Sequence, residues 1–264
     1  MRFAKYQATG NDFVLVDNRT GTFPRAAPKA IRKLCQRRIG VGADGLIAIV
    51  PKSGCDYEMI YYNSDGHEAT FCGNGARCAA RFAVDMGLAP KNHRFWAADG
   101  EHRAYVSDET VRVSMAFPRD YRLHADGFFV DTGSPHFVVF VEDVEVLDAL
   151  NVSVEGERLR YDARWAKYGG VNVNFVGELD TQTLFVRTFE RGVEAETLSC
   201  GTGVTAAAYV RLRRDGLLGA PETIRVRTPG GLLSVVFGAD GRPELEGPAV
   251  RVFDGDYPFV PDAP

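Results

Sequence analysis

Two stretches decide the architecture: Glu68–Phe82, EATFCGNGARCAARF, and Glu196–Val210, ETLSCGTGVTAAAYV. They align without a gap at a constant offset of 128 residues, close to half of the 264-residue chain. Glu68/Glu196, Cys72/Cys200, Gly73/Gly201, Gly75/Gly203, Ala79/Ala207 and Ala80/Ala208 are identical. Small residues coincide readily, but a repeated Glu-x-x-x-Cys-Gly-x-Gly followed by an alanine-rich segment is a specific pattern. A repeat of this size implies two homologous halves, each with strands around one helix that begins just after a cysteine.

The rest of the chain fits that plan. Runs rich in Val, Ile, Phe, Tyr and Thr predict strands at 13–17, 45–50, 57–63, 104–115, 137–141, 171–176, 183–189, 223–228 and 232–237. Three segments predict helices, at 28–38, 75–88 and 203–218, and the last two end near a glycine suited to a C-cap. Strands outnumber helices and hairpin-like pairs recur. The expected class is α+β, with two pseudo-symmetric domains, rather than a doubly wound parallel sheet. Pro118–Gly127 is the plausible midpoint boundary. The expected domains are 1–116 plus 251–264, carrying Cys72, and 117–250, carrying Cys200.

Composition narrows the function classes. At 45% hydrophobic and 25% charged residues the chain is an ordinary globular protein and not a disordered one. The 31 basic and 35 acidic residues sum to −4, so no broad basic field invites nucleic acid or an anionic membrane. No apolar run is long enough to span a bilayer. The opening MRFAKYQATGNDF lacks the apolar stretch of a signal peptide, so a cytoplasmic location is expected. Five cysteines, Cys35, Cys55, Cys72, Cys78 and Cys200, are an odd number, which argues against a disulfide framework.

A thiol at a helix N-terminus faces partly positive backbone N–H groups, which favour the thiolate. The following Gly-x-Gly removes side-chain bulk and lets a carboxylate approach the same N–H groups. Two pseudo-symmetric halves would present two such termini to one ligand, with a sulfur on either face of its α-carbon. One thiolate then removes the α-proton and the opposite thiol returns one, which is a two-base racemase or epimerase needing no metal and no cofactor. The bland alternative is that Cys72 and Cys200 are small buried hydrophobes, as most cysteines outside disulfides are. The matched setting favours the functional reading, and Cys35, Cys55 and Cys78 lack it.

Other signals carry less. Gly40–Gly45, GVGADG, matches G-x-G-x-x-G but precedes a strand instead of following one, so it predicts a turn and not a dinucleotide site. His67, Cys72 and Cys78 match no zinc spacing. His136, in Gly-Ser-Pro-His before a strand, has the loop-end position common in sites. Glu190-Arg191 is suited to the amine and carboxylate of an amino acid, although such neighbours are more often a surface ion pair.

Together these residues resemble the diaminopimelate epimerase family over essentially the whole chain. The marks are Ala8–Phe13 (ATGNDF), Gly42–Gly45 (GADG), Asn63–Gly66 (NSDG), Cys72–Cys78 (CGNGARC), Pro135-His136, Val171-Asn172, Glu190-Arg191-Gly192 and Cys200–Gly203 (CGTG). The resemblance implies two similar domains, each with a mostly antiparallel sheet or barrel wrapped around a central helix, usually in a homodimer. It implies interconversion of LL- and meso-diaminopimelate, for lysine and peptidoglycan synthesis, without a cofactor. Carried over by position, Cys72 and Cys200 are the acid/base thiols, and His136 and Glu190 tune their ionisation. Gly73, Asn74, Gly201 and Thr202 hold the reacting carboxylate. Asn11, Asn63, Asn172, Glu190 and Arg191 grip the substrate, largely at its distal end. The sequence departs from the commoner pattern in three places. Ser134 replaces an asparagine, Asp44 stands where some members have glutamine, and Arg191–Thr197 is one residue longer than Arg-Gly-Ala-Gly-Glu-Thr. The rivals are a proline or hydroxyproline racemase-like enzyme, a phenazine-biosynthesis-like isomerase without paired thiols, and a non-catalytic amino-acid-binding protein.

Overall fold

The computed structural model describes residues 1–25 and 27–260. The chain forms two compact units, Met1–Val113 with Gly247–Pro264, and Ser114–Glu246. Positions 261–264 of the expected first domain lie outside the described residues. Among the described residues no helix is long and apolar enough to cross a membrane.

The first unit runs β1 (Arg2–Ala8), β2 (Asn11–Asp17), α1 (Pro28–Cys35), β3 (Gly45–Val50), β4 (Tyr57–Asn63), α2 (Gly73–Asp85), β5 (Asn92–Ala97), β6 (Gly100–Val106) and β7 (Val111–Ser114). The second runs β8 (Arg119–His124), β9 (Gly127–Asp131), β10 (Pro135–Phe140), α3 (Val144–Ala149), α4 (Val152–Arg160), a 3-10 turn (Ala163–Tyr168), β11 (Asn172–Glu178), β12 (Thr183–Glu190), β13 (Ala195–Thr197), α5 (Gly201–Arg214), β14 (Glu222–Thr228), β15 (Gly231–Phe237) and β16 (Pro243–Gly247). The final strand, β17 (Val250–Asp256), returns to the first unit and pairs antiparallel with β1.

The pairing pattern repeats. In the first unit the order is β17-β1-β2-β3-β4-β5-β6-β7, antiparallel except at β2–β3 and β4–β5. In the second it is β8-β9-β10-β11-β12-β14-β15-β16, antiparallel except at β10–β11 and β12–β14. The parallel steps fall at the same two places, and each needs a crossover. In both units the second crossover carries the helix that follows the cysteine. Helix α2 touches β17, β1, β2, β3, β4 and β6, and α5 touches β9, β10, β11, β12, β14 and β15, so each sheet curls around its helix. This is the α+β arrangement expected.

Composition explains why a helix can sit there. Gly73–Ala80 and Gly203–Leu212 are buried without a break, and most of these side chains are Gly, Ala, Val or Thr. A helix with apolar or small residues all round has no face to give to water. Both helices stop in the same way. Gly87 and Gly216 take left-handed φ of 67° and 71°. The N–H of Leu88 reaches back to Ala83 O at 2.7 Å, and that of Leu217 to Leu212 O at 2.9 Å. These are Schellman closures, and they place the glycines beyond the helices rather than inside them.

Several elements differ from the sequence reading. The run 104–115 is a hairpin, broken where the Ser107 hydroxyl accepts the Thr110 N–H at 2.9 Å. The stretch 118–127, read as the midpoint boundary, holds β8, and the division falls earlier, between Val113 and Ser114. Helices α3 and α4 and the 3-10 turn escaped notice because they are short and polar. Their signals were the caps Asp143, Asn151 and Asp162, each accepting a backbone N–H.

Gly156 tests the packing of the second unit. In an exposed helix, Gly→Ala gains about 1 kcal/mol. Here a Cβ at 156 would lie 2.3 Å from Phe189 Cβ, close to the backbone of β12. Overpacking of that kind costs about 1–3 kcal/mol and outweighs the helical gain. Gly156→Ala is expected to lower the midpoint of thermal unfolding; an unchanged or raised midpoint would show that α4 can retreat.

Candidate active site

Cys72 and Cys200 are the N-caps of α2 and α5, with φ, ψ of −125°, 115° and −118°, 110°. An N-cap side chain ordinarily offers oxygen to the first N–H groups. At Cys72 sulfur takes that place, and the Gly75 N–H donates to its Sγ at 3.5 Å. Neither first turn contains an acidic residue, so neither helix supplies a carboxylate to its own positive end. All five cysteines are thiols. Burial pushes the Cys35 thiol up to about 12 and Cys78 higher still, so neither is a base near neutral pH.

In the first unit the structure gathers Asn11, Asn74 and Cys72. Asn11 Oδ1 lies 3.8 Å from Cys72 Sγ and accepts from Asn74 Nδ2 at 3.3 Å. The Asn11 amide is oriented by Asp44, whose Oδ2 accepts from Nδ2 at 2.7 Å. Asp44 is in turn held by Arg37 at 2.9 Å. Asn63 stands apart from this group, exposed at the end of β4 opposite Gly45. Sequence reasoning passed over Arg77, which is fully buried and donates to Asn74 Oδ1 at 3.0 Å and Thr9 Oγ1 at 3.3 Å. Burial lowers its guanidinium to about 10, so it stays a cation, held behind the helix start. Its only sequence signal was its place inside the CGNGARC motif.

In the second unit His136, Asn172, Glu190, Arg191, Gly201 and Thr202 cluster in smaller sets. Thr202 Oγ1 lies 3.4 Å from Cys200 Sγ, and its carbonyl accepts from Thr132 at 3.0 Å. Asn172 Oδ1 accepts the Arg191 N–H at 2.9 Å, and its Nδ2 donates to Ser134 Oγ at 2.9 Å and Pro135 O at 3.1 Å. Ser134 thus steadies Asn172. Glu190 ends β12 and accepts from Thr197 Oγ1 at 2.9 Å. His136 has no exposure, and burial, then the Arg191 charge, lowers its pKa to about 3. Its Nδ1 lies 3.0 Å from Asn174 Nδ2, a residue the sequence reading did not single out. The signal was two asparagines, 172 and 174, on one face of a buried strand.

The longer loop after Arg191 also has a defined anchor. Glu194, at φ 59°, takes a conformation that favours glycine. Its carboxylate accepts from Arg160 at 2.9 Å, Tyr161 Oη at 2.8 Å and the Gly192 N–H at 2.8 Å. Arg160 is buried and also donates to Gly169 O at 2.8 Å, while Arg191 Nη1 reaches Tyr168 O at 2.7 Å. The turn bearing Arg191 is therefore tied on both sides. Among the described residues no group of three His, Cys, Asp or Glu could hold a metal ion.

Comparison with known proteins places the fold first. A PhzF-family phenazine biosynthesis protein from Bacillus anthracis superposes with a TM-score of 0.77 at 14% identity, covering 97% of this chain and 98% of that one. A hydroxyproline epimerase from Agrobacterium vitis superposes at 0.68 and 15%, covering 97% and 91%. At such identities the likeness is one of fold alone, and it defines the class as the fold that these two proteins share. Sequence then narrows the class. The family profile described as diaminopimelate epimerase matches residues 3–119 and 128–252. Curated relatives with that name are 39% identical in Flavobacterium psychrophilum, covering 96% of this chain and 99% of the relative, and 41% identical in Chlorobaculum tepidum, covering 93% and 97%. The chain belongs to the diaminopimelate epimerase family.

The Glu194 anchor gives a pH prediction. The Arg160 hydrogen bonds hold the Glu194 carboxyl at about 2, below its ordinary 4.5. A depressed carboxyl stabilises the fold fully above its unfolded value and loses that contribution as pH falls from 4.5 towards 2. The wild-type unfolding midpoint should fall through this window by more than that of Glu194→Gln. Parallel curves for the two proteins would show that the pair adds nothing to stability.

Proposed function

We propose that the chain interconverts LL- and meso-diaminopimelate as a cofactor-independent epimerase, with Cys72 and Cys200 as its two acid/base groups. The observation that carries this reading is the pair of cysteine N-caps at equivalent helix starts in a member of this family. In one direction the Cys200 thiolate takes the α-proton. The C–H electron pair passes into the carboxylate, and the Cys72 thiol delivers its proton to the opposite face. Protons balance, and the two sulfurs exchange charge. The N–H groups at Gly73, Asn74, Gly201 and Thr202 stabilise the carboxylate as negative charge grows on it. His136 and Glu190 tune the thiols. Asn11, Asn63, Asn172, Glu190 and Arg191 recognise the amino-acid group that does not react, which an enzyme for one of two similar centres must do. A homodimer in the cytoplasm belongs to the same proposal.

The test is LL-diaminopimelate incubated in D2O, with proline and hydroxyproline as controls. In a single turnover deuterium should enter the inverted α-carbon of the meso product and not the other. Exchange into proline instead would transfer the site to the racemase reading. Cys72→Ser and Cys200→Ser should each lower kcat/KM by about 10²–10⁴, the usual worth of a positioned proton donor or acceptor. The rate should follow a bell in pH whose two limbs belong to the thiol pair, because only the singly protonated pair is competent. Either variant running near the parent rate removes its cysteine from the chemistry.

A further inference from the structure

We propose that Asn174 is a positioning residue that locks His136 as the neutral tautomer protonated on Nε2, so that the Cys200 half works with a buried N–H donor and never with an imidazolium. The inference rests on His136 acting in the proposed site and adds what form it acts in. The geometry fixes the proton by elimination. Asn174 Nδ2 lies 3.0 Å from His136 Nδ1 and 3.4 Å from the Phe137 carbonyl, while Asn174 Oδ1 accepts from the Thr188 hydroxyl at 3.1 Å. A carbonyl can only accept, so the Asn174 atom facing Phe137 is the NH2 group. That group then donates to Nδ1, and a ring nitrogen that accepts carries no hydrogen. The ring proton is left on Nε2, which is buried and has no hydrogen-bond partner among the described residues.

The same asparagine accounts for a glycine of the repeated motif. A Cβ at Gly203 would fall 2.2 Å from Asn174 Oδ1, so the amide occupies the space that the missing side chain leaves. At the equivalent Gly75 the nearest neighbour of a Cβ is the Ile47 methyl, at 3.1 Å. The polar lock is thus present behind α5, and an aliphatic side chain stands in its place behind α2. The charged group acting on the imidazole is Arg191, in the turn after β12, and Asn174 and Thr188 present neutral groups to the pair. A neutral N–H can stabilise negative charge without adding a titrating proton to the thiol pair.

The test is a long-range proton–nitrogen correlation spectrum of the 15N-labelled full chain, with the His136 ring assigned by its loss in His136→Gln. Nδ1 should resonate as an unprotonated, hydrogen-bonded nitrogen and Nε2 as a protonated one, unchanged from pH 5.5 to 9. Asn174→Asp replaces the donor with an acceptor. It should move the proton to Nδ1 and lower kcat tenfold or more with KM within about threefold. Gly203→Ala, which displaces the amide without changing its chemistry, should populate both tautomers and serves if the aspartate variant does not fold. A wild-type ring protonated on Nδ1 overturns the proposal. So does an Asn174→Asp enzyme with an inverted ring and parental kcat. The spectrum is read without turnover, so it stands or falls separately from the identity of the substrate.

Discussion

A helix enclosed by protein must satisfy its polar groups without water, and that requirement shapes each half of this chain. Along α2 and α5 the backbone bonds to itself, and the C-terminal carbonyls are closed by the turns at Gly87 and Gly216. The first turn is different, because its N–H groups have no intrahelical acceptor. An acidic cap would normally absorb them, but both helices present a cysteine and small residues instead. In both helices the turn that needs acceptors from outside the helix therefore begins at a thiol. Structural economy and chemistry coincide there, because the dipole that favours a bound carboxylate also favours ionised sulfur.

The surroundings of the two thiols are alike in backbone and unlike in polarity. Behind Cys72 stands a buried cation, Arg77, which holds Asn74, while Asp44 orients Asn11. The position equivalent to Arg77 is Thr205, whose hydroxyl turns back to Gly201 O at 2.9 Å. In the second unit Asn174 stands behind Gly203 and beside a neutral His136. Duplication supplied the frame, and divergence of side chains on that frame made the two helix starts chemically distinct.

The sequence carried the frame well. Gly-x-Gly and the alanines marked both central helices because a helix that must fit inside a sheet can hold little else. The β-branched runs marked the inner strands for the same reason. β1 was missed because Lys5 and Gln7 interrupt its apolar run, yet Lys5 is buried and bonded to Asp12 at 2.7 Å, a pairing that no local pattern reveals. The cysteines, His136 and the Glu190-Arg191 turn were legible from motif and position. Asn174, Arg77 and Glu194 were not, since each acts through contacts between segments distant in sequence. Ser134 and Asp44, which depart from the common pattern, proved to hold Asn172 and Asn11 in place.

The return of β17 to β1 has a consequence for how the chain is made. Arg2 pairs opposite Asp256, so the outer edge of β1 has no partner until the last strand has left the ribosome. The second unit, by contrast, is continuous in sequence, because β8 takes beside β9 the place that β17 takes beside β1. Units complete in sequence can fold as they emerge, whereas a strand waiting across some 250 residues must bear a long loop closure and an open edge. Synthesis therefore passes through a stage with a finished second unit and a first unit lacking its outer strand. During that interval β1 is the segment most exposed to wrong pairing with another nascent chain.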